Sequence, residues 1–115
     1  MADRRQHLRG RPLIDLPAEI QLLPEDGVGF LHVVDISLGG VGVWAQDRPP
    51  FVPGAPVKLR LALGRSTPIE IGAVVRYTRG PDRSFCGMKF DEMSEQEHSV
   101  VEGYVSALLE RGSRV

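Results

Sequence analysis

Short apolar segments separated by turn-forming residues run through most of the chain. The clearest is Val-Lys-Leu-Arg-Leu-Ala-Leu at residues 57–63, where apolar side chains alternate with Lys58 and Arg60. A period of two is typical of a β-strand with one buried face, so we expect the valine and leucines to face a core and the basic residues to face solvent. The same criteria predict five more strands, at residues 17–23, 30–36, 41–45, 69–77 and 85–90.

The end of the chain has the spacing of a helix. Ser94-Glu-Gln-Glu97 matches a capping box, in which the serine and the glutamate satisfy two backbone N–H groups at a helix start. A stripe of apolar residues at helical spacing follows, comprising Val101, Tyr104, Val105, Leu108 and Leu109. We predict a helix over residues 94–111, ended by Gly112, that either covers the strands or presents a face to a partner.

Six short strands followed by one helix predict an all-β fold. A six-stranded antiparallel β-barrel removes exposed sheet edges, and the C-terminal α-helix would pack against it. With 115 residues, of which 42% are hydrophobic and 25% charged, the chain has the size and composition of one globular domain. We place the barrel and helix in residues 13–115, and a flexible basic N-terminal arm in residues 1–12, which lack apolar periodicity.

Several classes of protein are excluded by simple features of the chain. No apolar run approaches the roughly 18 residues of a membrane span, and the arginine-rich start lacks the apolar stretch of a signal peptide. We therefore expect a cytoplasmic protein without membrane insertion. Cys86 is the sole cysteine, so no intrachain disulfide can form. Cys86 and Trp44 both lie in short apolar strands and are predicted to be core residues.

The net charge of -1 conceals an asymmetry. Residues 1–12 carry four arginines against one aspartate, whereas residues 91–110 carry several glutamates and no lysine or arginine. The arginines are Arg4, Arg5, Arg9 and Arg11, and the glutamates include Glu92, Glu95, Glu97 and Glu102. A local anionic ligand at the front of the chain fits this pattern better than a long nucleic acid spread over the whole surface.

The arm contains a pair of arginines suited to phosphate. Arg5 and Arg9 are four residues apart, a spacing that places both on one side of the chain. Guanidinium groups offer parallel donors that match phosphate oxygens, and their planar faces can stack on a base. A solvated terminal arm would show the same spacing, so R-x-x-x-R is not specific by itself.

The second candidate segment is Asp35-Ile-Ser-Leu-Gly-Gly40. In an extended segment Asp35 and Ser37 point to the same face, and Gly39 and Gly40 would let a ligand approach the backbone. A carboxylate beside a hydroxyl can accept from the N1–H and N2–H groups of a guanine. The structural alternative is an Asx or serine turn with glycines at positive φ.

Together the two segments are more specific than either alone. R-x-x-x-R followed, after 25 intervening residues, by D-x-S-x-x-G resembles the PilZ domain, the bacterial receptor module for cyclic di-GMP. The closing segment Cys86-Gly-Met-Lys-Phe90 is similar to the last strand of that family. The resemblance implies a basic arm, a six-stranded barrel and a terminal helix, and so covers nearly the whole chain.

The resemblance also implies roles for the motif residues. The arginines at positions 5 and 9 would hold the phosphates and guanines of the ligand, and Asp35, Ser37 and Gly40, with Gly39 beside them, would line the surface where a guanine docks. In this family the residue ahead of the first motif arginine helps decide between one ligand molecule and an intercalated pair. Arg4 could stack on a second guanine, which favours the pair and leaves the single molecule open.

We therefore expect a cyclic di-GMP receptor without catalytic activity, cofactor or metal. Ligand would draw the arm onto the barrel and change the surface seen by a protein partner of unknown identity. A PilZ-type adaptor that does not use nucleotide is the first alternative. A small nucleic-acid-binding barrel is the second, and it is disfavoured because the sequence shows no further basic excess and no aromatic cluster for stacking bases. His7, His32 and His98 lack the spacing of a metal or catalytic site.

Overall fold

The computed structural model describes residues 8–24, 29–45 and 48–115. Six antiparallel strands precede a single long helix in this part of the chain, which confirms the predicted all-β fold with a C-terminal helix. The elements are β1 (Ala18–Leu23), β2 (His32–Ile36), β3 (Gly40–Trp44), β4 (Pro56–Leu63), β5 (Ile69–Arg79), β6 (Phe85–Phe90) and α1 (Glu95–Glu110).

The strands form one sheet in the order β1-β4-β5-β6-β3-β2. The two outermost strands approach each other where the N–H of Leu31 donates to the carbonyl of Ile20 at 2.7 Å. This bridge brings the ends of the sheet together into a nearly closed barrel. The closure protects most of the backbone that an open sheet would expose at its edges.

The core lies inside the barrel and continues beneath the helix. Along β4 the predicted alternation is confirmed, since Leu59, Leu61 and Leu63 are buried and the residues between them are not. Cys86 is fully buried in the same core, as predicted, and loss of hydration raises the pKa of its thiol to about 11. The buried residues of α1 belong to this cluster and are Val101, Tyr104, Val105 and Leu108.

Both ends of α1 have well-formed caps. Ser94 accepts a hydrogen bond from the N–H of Glu97 at 3.1 Å, and Glu97 Oε1 accepts one from the N–H of Ser94 at 2.9 Å, which confirms the capping box. At the other end Gly112 has φ 77°, and Gly112 and Ser113 donate to the carbonyls of Leu109 and Leu108. These two bonds form a Schellman motif, which ends the helix where the glycine predicts.

Residues 9–11 are paired through their backbone to two parts of the fold. Gly10 exchanges two 2.9 Å hydrogen bonds with Ile36 at the end of β2. Arg11 N–H donates to the carbonyl of Ser113, and the N–H of Val115 donates to the carbonyl of Arg9. Residues 1–7 of the predicted arm lie outside the described residues. Within the described part of the chain, no helix has the length and hydropathy needed to cross a membrane.

Candidate functional site

A β-bulge in β2 turns Asp35 to the outer surface of the barrel. Val33 lies opposite Val43 and Asp35 lies opposite Gly42, so one extra residue is inserted in β2 between these pairs. A bulge of this kind re-aims the side chains that follow it. The carboxylate of Asp35 lies over Gly42, where a Cβ atom would be only 3.0 Å from Asp35 Oδ1.

Arg9 joins the two predicted motifs. Its Nε donates to Asp35 Oδ1 at 2.6 Å, and its Nη1 donates to Ser37 Oγ at 3.3 Å. The side chains of Arg9 and Asp35 are 34% and 14% exposed, so this ion pair is partly shielded from water. A guanidinium has five N–H donors. No other hydrogen bond of this group is found within the described residues, and the remaining donors can serve a ligand.

The segment between β2 and β3 is a serine turn. The N–H of Ser37 donates to the carbonyl of Gly40 at 2.8 Å, and Ser37 Oγ accepts from the N–H of Gly39 at 3.3 Å. The serine turn and the candidate binding residues therefore occur in the same segment and do not exclude each other. Neither Gly39 nor Gly40 has the positive φ that the turn alternative assumed. Gly40 is needed for a different reason, because a Cβ atom there would collide with the carbonyl oxygen of Met88.

These residues border a pocket of about 480 Å³ on the outside of the barrel. The sequence predicted four of its residues, which are Arg9, Ser37, Gly39 and Gly40. Three exposed side chains that the sequence did not identify also line it, and they are Arg76, Tyr77 and Lys89. Asp35 does not line the pocket itself and is connected to it through its contact with Arg9. Arg4 and Arg5 lie outside the described residues, so their positions remain predictions.

A second bulge explains how β5 contributes two neighbouring side chains to the pocket. Val75 lies opposite Met88 and Tyr77 lies opposite Gly87, which leaves Arg76 as the extra residue. Arg76 and Tyr77 are both exposed, whereas regular alternation would turn one of them inward. Periodicity alone cannot reveal this position, since the extra residue interrupts the period.

A row of four paired residues crosses four strands next to Arg9, and two of them, Tyr77 and Gly87, line the pocket. Asp35 of β2 lies opposite Gly42 of β3, which lies opposite Gly87 of β6, which lies opposite Tyr77 of β5. The ring of Tyr77 covers the space that a Cβ atom at Gly87 would need. The two glycines thus let the Tyr77 ring and the Asp35 carboxylate lie directly against the backbone of the neighbouring strands.

The charges around the pocket favour an anion. Arg76 and Lys89 are exposed at its border, and Arg9 keeps unused donors although Asp35 neutralises it. The guanidinium of Arg79 lies 4.6 Å from the centre of the Tyr77 ring, in a cation–π contact that adds positive charge beside the ring. Positive side chains around a concave surface concentrate anions there.

Three aromatic residues meet on the outer surface beside the pocket, contrary to two expectations from the sequence. Trp44 is 38% exposed rather than a core residue, and its ring packs edge-on against Phe85 with centroids 5.1 Å apart. Tyr77 lies 6.3 Å from Phe85 on the other side. The expectation that no aromatic cluster exists is therefore wrong. The three residues belong to different strands, and only the register brings them together.

The sequence of the chain matches the PilZ domain family model over residues 3–107. The chain belongs to the PilZ family. PilZ domains are receptors for cyclic di-GMP. A protein from Aquifex aeolicus (strain VF5), described as an uncharacterized protein, is 30% identical over 104 residues. The match covers 90% of this chain but 48% of that protein, so this PilZ chain spans about half the length of its curated relative.

Solved structures of PilZ proteins share the fold. The PilZ domain of YcgR from Escherichia coli with c-di-GMP superimposes with a TM-score of 0.67 and 13% identity, covering 94% of each chain. The MrkH–c-di-GMP complex from K. pneumonia gives a TM-score of 0.71 and 17% identity, covering 96% of this chain and 55% of that one. At these identities the likeness establishes the PilZ barrel and helix.

Proposed function

We propose that this PilZ chain is a receptor that binds cyclic di-GMP in the pocket around Arg9 and acts on a protein partner without catalysing a reaction. The observation that carries the proposal is the contact of Arg9 with both Asp35 and Ser37. This contact joins the two motifs at one place, where the pocket offers donors for phosphate and a tyrosine ring for a base. YcgR and MrkH, which share the fold, have been solved with c-di-GMP.

Each part of the proposed ligand has a chemically matched group. The unused donors of Arg9, together with Arg5, would hold phosphate oxygens, and Arg76 and Lys89 would add positive charge at the opposite border. Asp35 and Ser37 would accept from a guanine edge. The exposed ring of Tyr77, which lines the pocket, would stack on a base.

Competition among nucleotides tests this assignment. The protein is first saturated with a fluorescent derivative of cyclic di-GMP, and unlabelled cyclic di-GMP, GMP and GTP are added separately. We expect cyclic di-GMP to displace the probe at concentrations at least about 100-fold lower than the mononucleotides, a difference of roughly 2.8 kcal/mol. Equal displacement by GMP would show a general phosphate site and contradict the proposal.

The contribution of Lys89 can be separated from a general effect of charge. We expect Lys89→Ala to weaken cyclic di-GMP binding about three- to tenfold, because one charge near the phosphates is lost. Lys58→Ala is the matched control, since Lys58 is an exposed lysine of β4 outside the pocket. Equal affinities of the two variants in the same titration would remove Lys89 from the site.

Arg4 and Arg5 are proposed to close over the bound nucleotide. A charge-assisted hydrogen bond contributes only about 1.5 to 3 kcal/mol, so several such contacts must form together to hold this segment on the ligand. Limited trypsin digestion measures this closure. We expect cyclic di-GMP to slow cleavage after Arg4 and Arg5, whereas cleavage at an unchanged rate with saturating nucleotide would show that the arm takes no part.

A further inference from the structure

An apolar groove lies between α1 and the two segments that carry the binding motifs. Leu8 and Leu38 form one wall, and Val105 and Leu109 of the helix form the other. The cavity measures about 310 Å³, which gives room for an apolar side chain. Val105 belongs to the core cluster, so the groove is an opening in the surface that reaches the core.

The border of this groove is acidic. Glu102, Ser106 and Glu110 are exposed, line the groove and are four residues apart, which places them along one face of α1. Within the described residues, no ion pair or hydrogen bond engages the carboxylate of Glu102 or Glu110. Glu110 lies in the last turn, where a negative charge opposes the helix dipole. Its charge therefore does not serve the stability of the helix.

No basic side chain of the helix offsets these carboxylates. The chain has no lysine or arginine from Asp91 to Glu110. The next basic residue, Arg111, is held by Asp15 through a 2.9 Å ion pair. An apolar opening bordered by carboxylates is complementary to an apolar side chain flanked by positive charges.

The groove and the nucleotide pocket share the same two backbone segments. Arg9 and Ser37 point into the nucleotide pocket, and the residues adjacent in sequence, Leu8 and Leu38, point into the groove. The backbone of this region is tied to the C-terminal residues through the bonds of Gly10 and Arg11 described above. A ligand that contacts both Arg9 and Ser37 therefore binds the same two segments that form one wall of the groove.

We propose that this groove is the docking site for the protein partner, and that the partner inserts an apolar side chain flanked by lysines or arginines. The position of Leu8 and Leu38 makes the groove better formed when nucleotide is bound, a dependence that rests on the proposed function above. The acidic border selects for basic partners, and the apolar floor supplies the area that is removed from water.

A phage-displayed library of short random peptides, panned on the whole protein with and without cyclic di-GMP, provides the probe. We expect the enriched peptides to carry an apolar residue flanked by basic residues. A synthetic copy of the most enriched peptide should bind at least about fivefold more tightly when nucleotide is present, the lower limit of a typical coupling between two sites.

Two substitutions on α1 locate the bound peptide. Ser106→Arg puts a positive charge on the border of the groove. We expect it to lower the affinity for the peptide at least about tenfold and to leave the affinity for cyclic di-GMP unchanged. Gln96→Arg adds the same charge at an exposed helix position outside the groove and should bind the peptide as the wild type does. Arginine favours helix more than serine, so Ser106→Arg is expected to fold.

Each outcome decides part of the proposal. No enrichment, or enriched peptides that bind Ser106→Arg and the wild type equally, would overturn the docking site. A dimer in sedimentation that Ser106→Arg dissociates would assign the groove to a second copy and overturn the partner. If the peptide binds in the groove with the same affinity whether or not nucleotide is present, the coupling between the two sites is overturned. If nucleotide itself does not bind, the proposed receptor function fails, and the comparison with Ser106→Arg still decides the groove.

Discussion

At the scale of single residues, Arg9 organises the site before any ligand arrives. Its contacts with Asp35 and Ser37 bring together side chains from distant parts of the sequence, and the backbone around it is fixed at Gly10 and Arg11. A side chain already held in place loses less conformational freedom on binding than a free one, which favours affinity. Substitution of Arg9 would also leave the Asp35 carboxylate, 14% exposed, without its ion-pair partner.

The contribution of Arg9 is measured by calorimetric titration of Arg9→Ala with cyclic di-GMP. We expect the affinity to fall at least about tenfold, or roughly 1.4 kcal/mol, and we expect the same of Arg5→Ala. Arg11→Ala is the control, because Arg11 belongs to the same basic segment but does not line the nucleotide pocket. Unchanged affinity of Arg9→Ala would contradict the assigned site.

At the scale of secondary-structure elements, two bulges decide which side chains reach the site. The bulge of β2 turns Asp35 outward, and the bulge of β5 exposes both Arg76 and Tyr77. The strands themselves were predictable, because their apolar periodicity and turn residues depend on local sequence. The bulges, the register and hence Arg76, Tyr77 and Lys89 were not, because they depend on which strands become neighbours.

The capping box predicted from the sequence can be tested through its contribution to the free energy of unfolding. Ser94→Ala removes the hydrogen bond to the N–H of Glu97, and we expect the free energy of unfolding to fall by about 1 kcal/mol. Ser99→Ala is the matched control, since Ser99 is an exposed serine inside the same helix, where alanine favours helix and should not destabilise it. Equal unfolding free energies of Ser94→Ala and the wild type in guanidinium chloride would show that the cap contributes nothing.

At the scale of the whole molecule, one core stabilises both the barrel and the helix. The sequence could predict this architecture because the inward residues of β4 and the apolar stripe of α1 follow clear periods. It could not predict the exposed cluster of Trp44, Tyr77 and Phe85, since composition does not show which aromatic residues face outward. Burial in the shared core also raises the pKa of the Tyr104 hydroxyl to about 12.

The buried thiol makes stability depend on pH in alkaline solution. The pKa of Cys86 rises from an ordinary value of 9.0 to about 11 in the folded protein. Between these values the unfolded chain binds fewer protons than the folded one, so stability is lost as the pH rises through this window. When the pH is raised from about 8 to about 10.5, we expect the free energy of unfolding to fall in the wild type. In Cys86→Ala the fall should be smaller by about 2 kcal/mol.

Guanidinium chloride unfolding curves of the two proteins at both pH values measure this difference. The comparison uses the change with pH in each protein, which removes the packing cost of the substitution itself. Parallel loss of stability in Cys86→Ala and the wild type would show that the pKa of the thiol is the same in the folded and unfolded states.

The most direct test of the receptor assignment is isothermal titration of the purified protein with cyclic di-GMP, with GTP and GMP as controls. We predict selective binding of cyclic di-GMP, with two molecules per chain because Arg4 would stack on the second guanine. A stoichiometry of one molecule per chain would agree with the receptor function but contradict the stacking of Arg4 on a second guanine. Absence of binding by folded protein would contradict the receptor function and point instead to a PilZ adaptor that works without nucleotide.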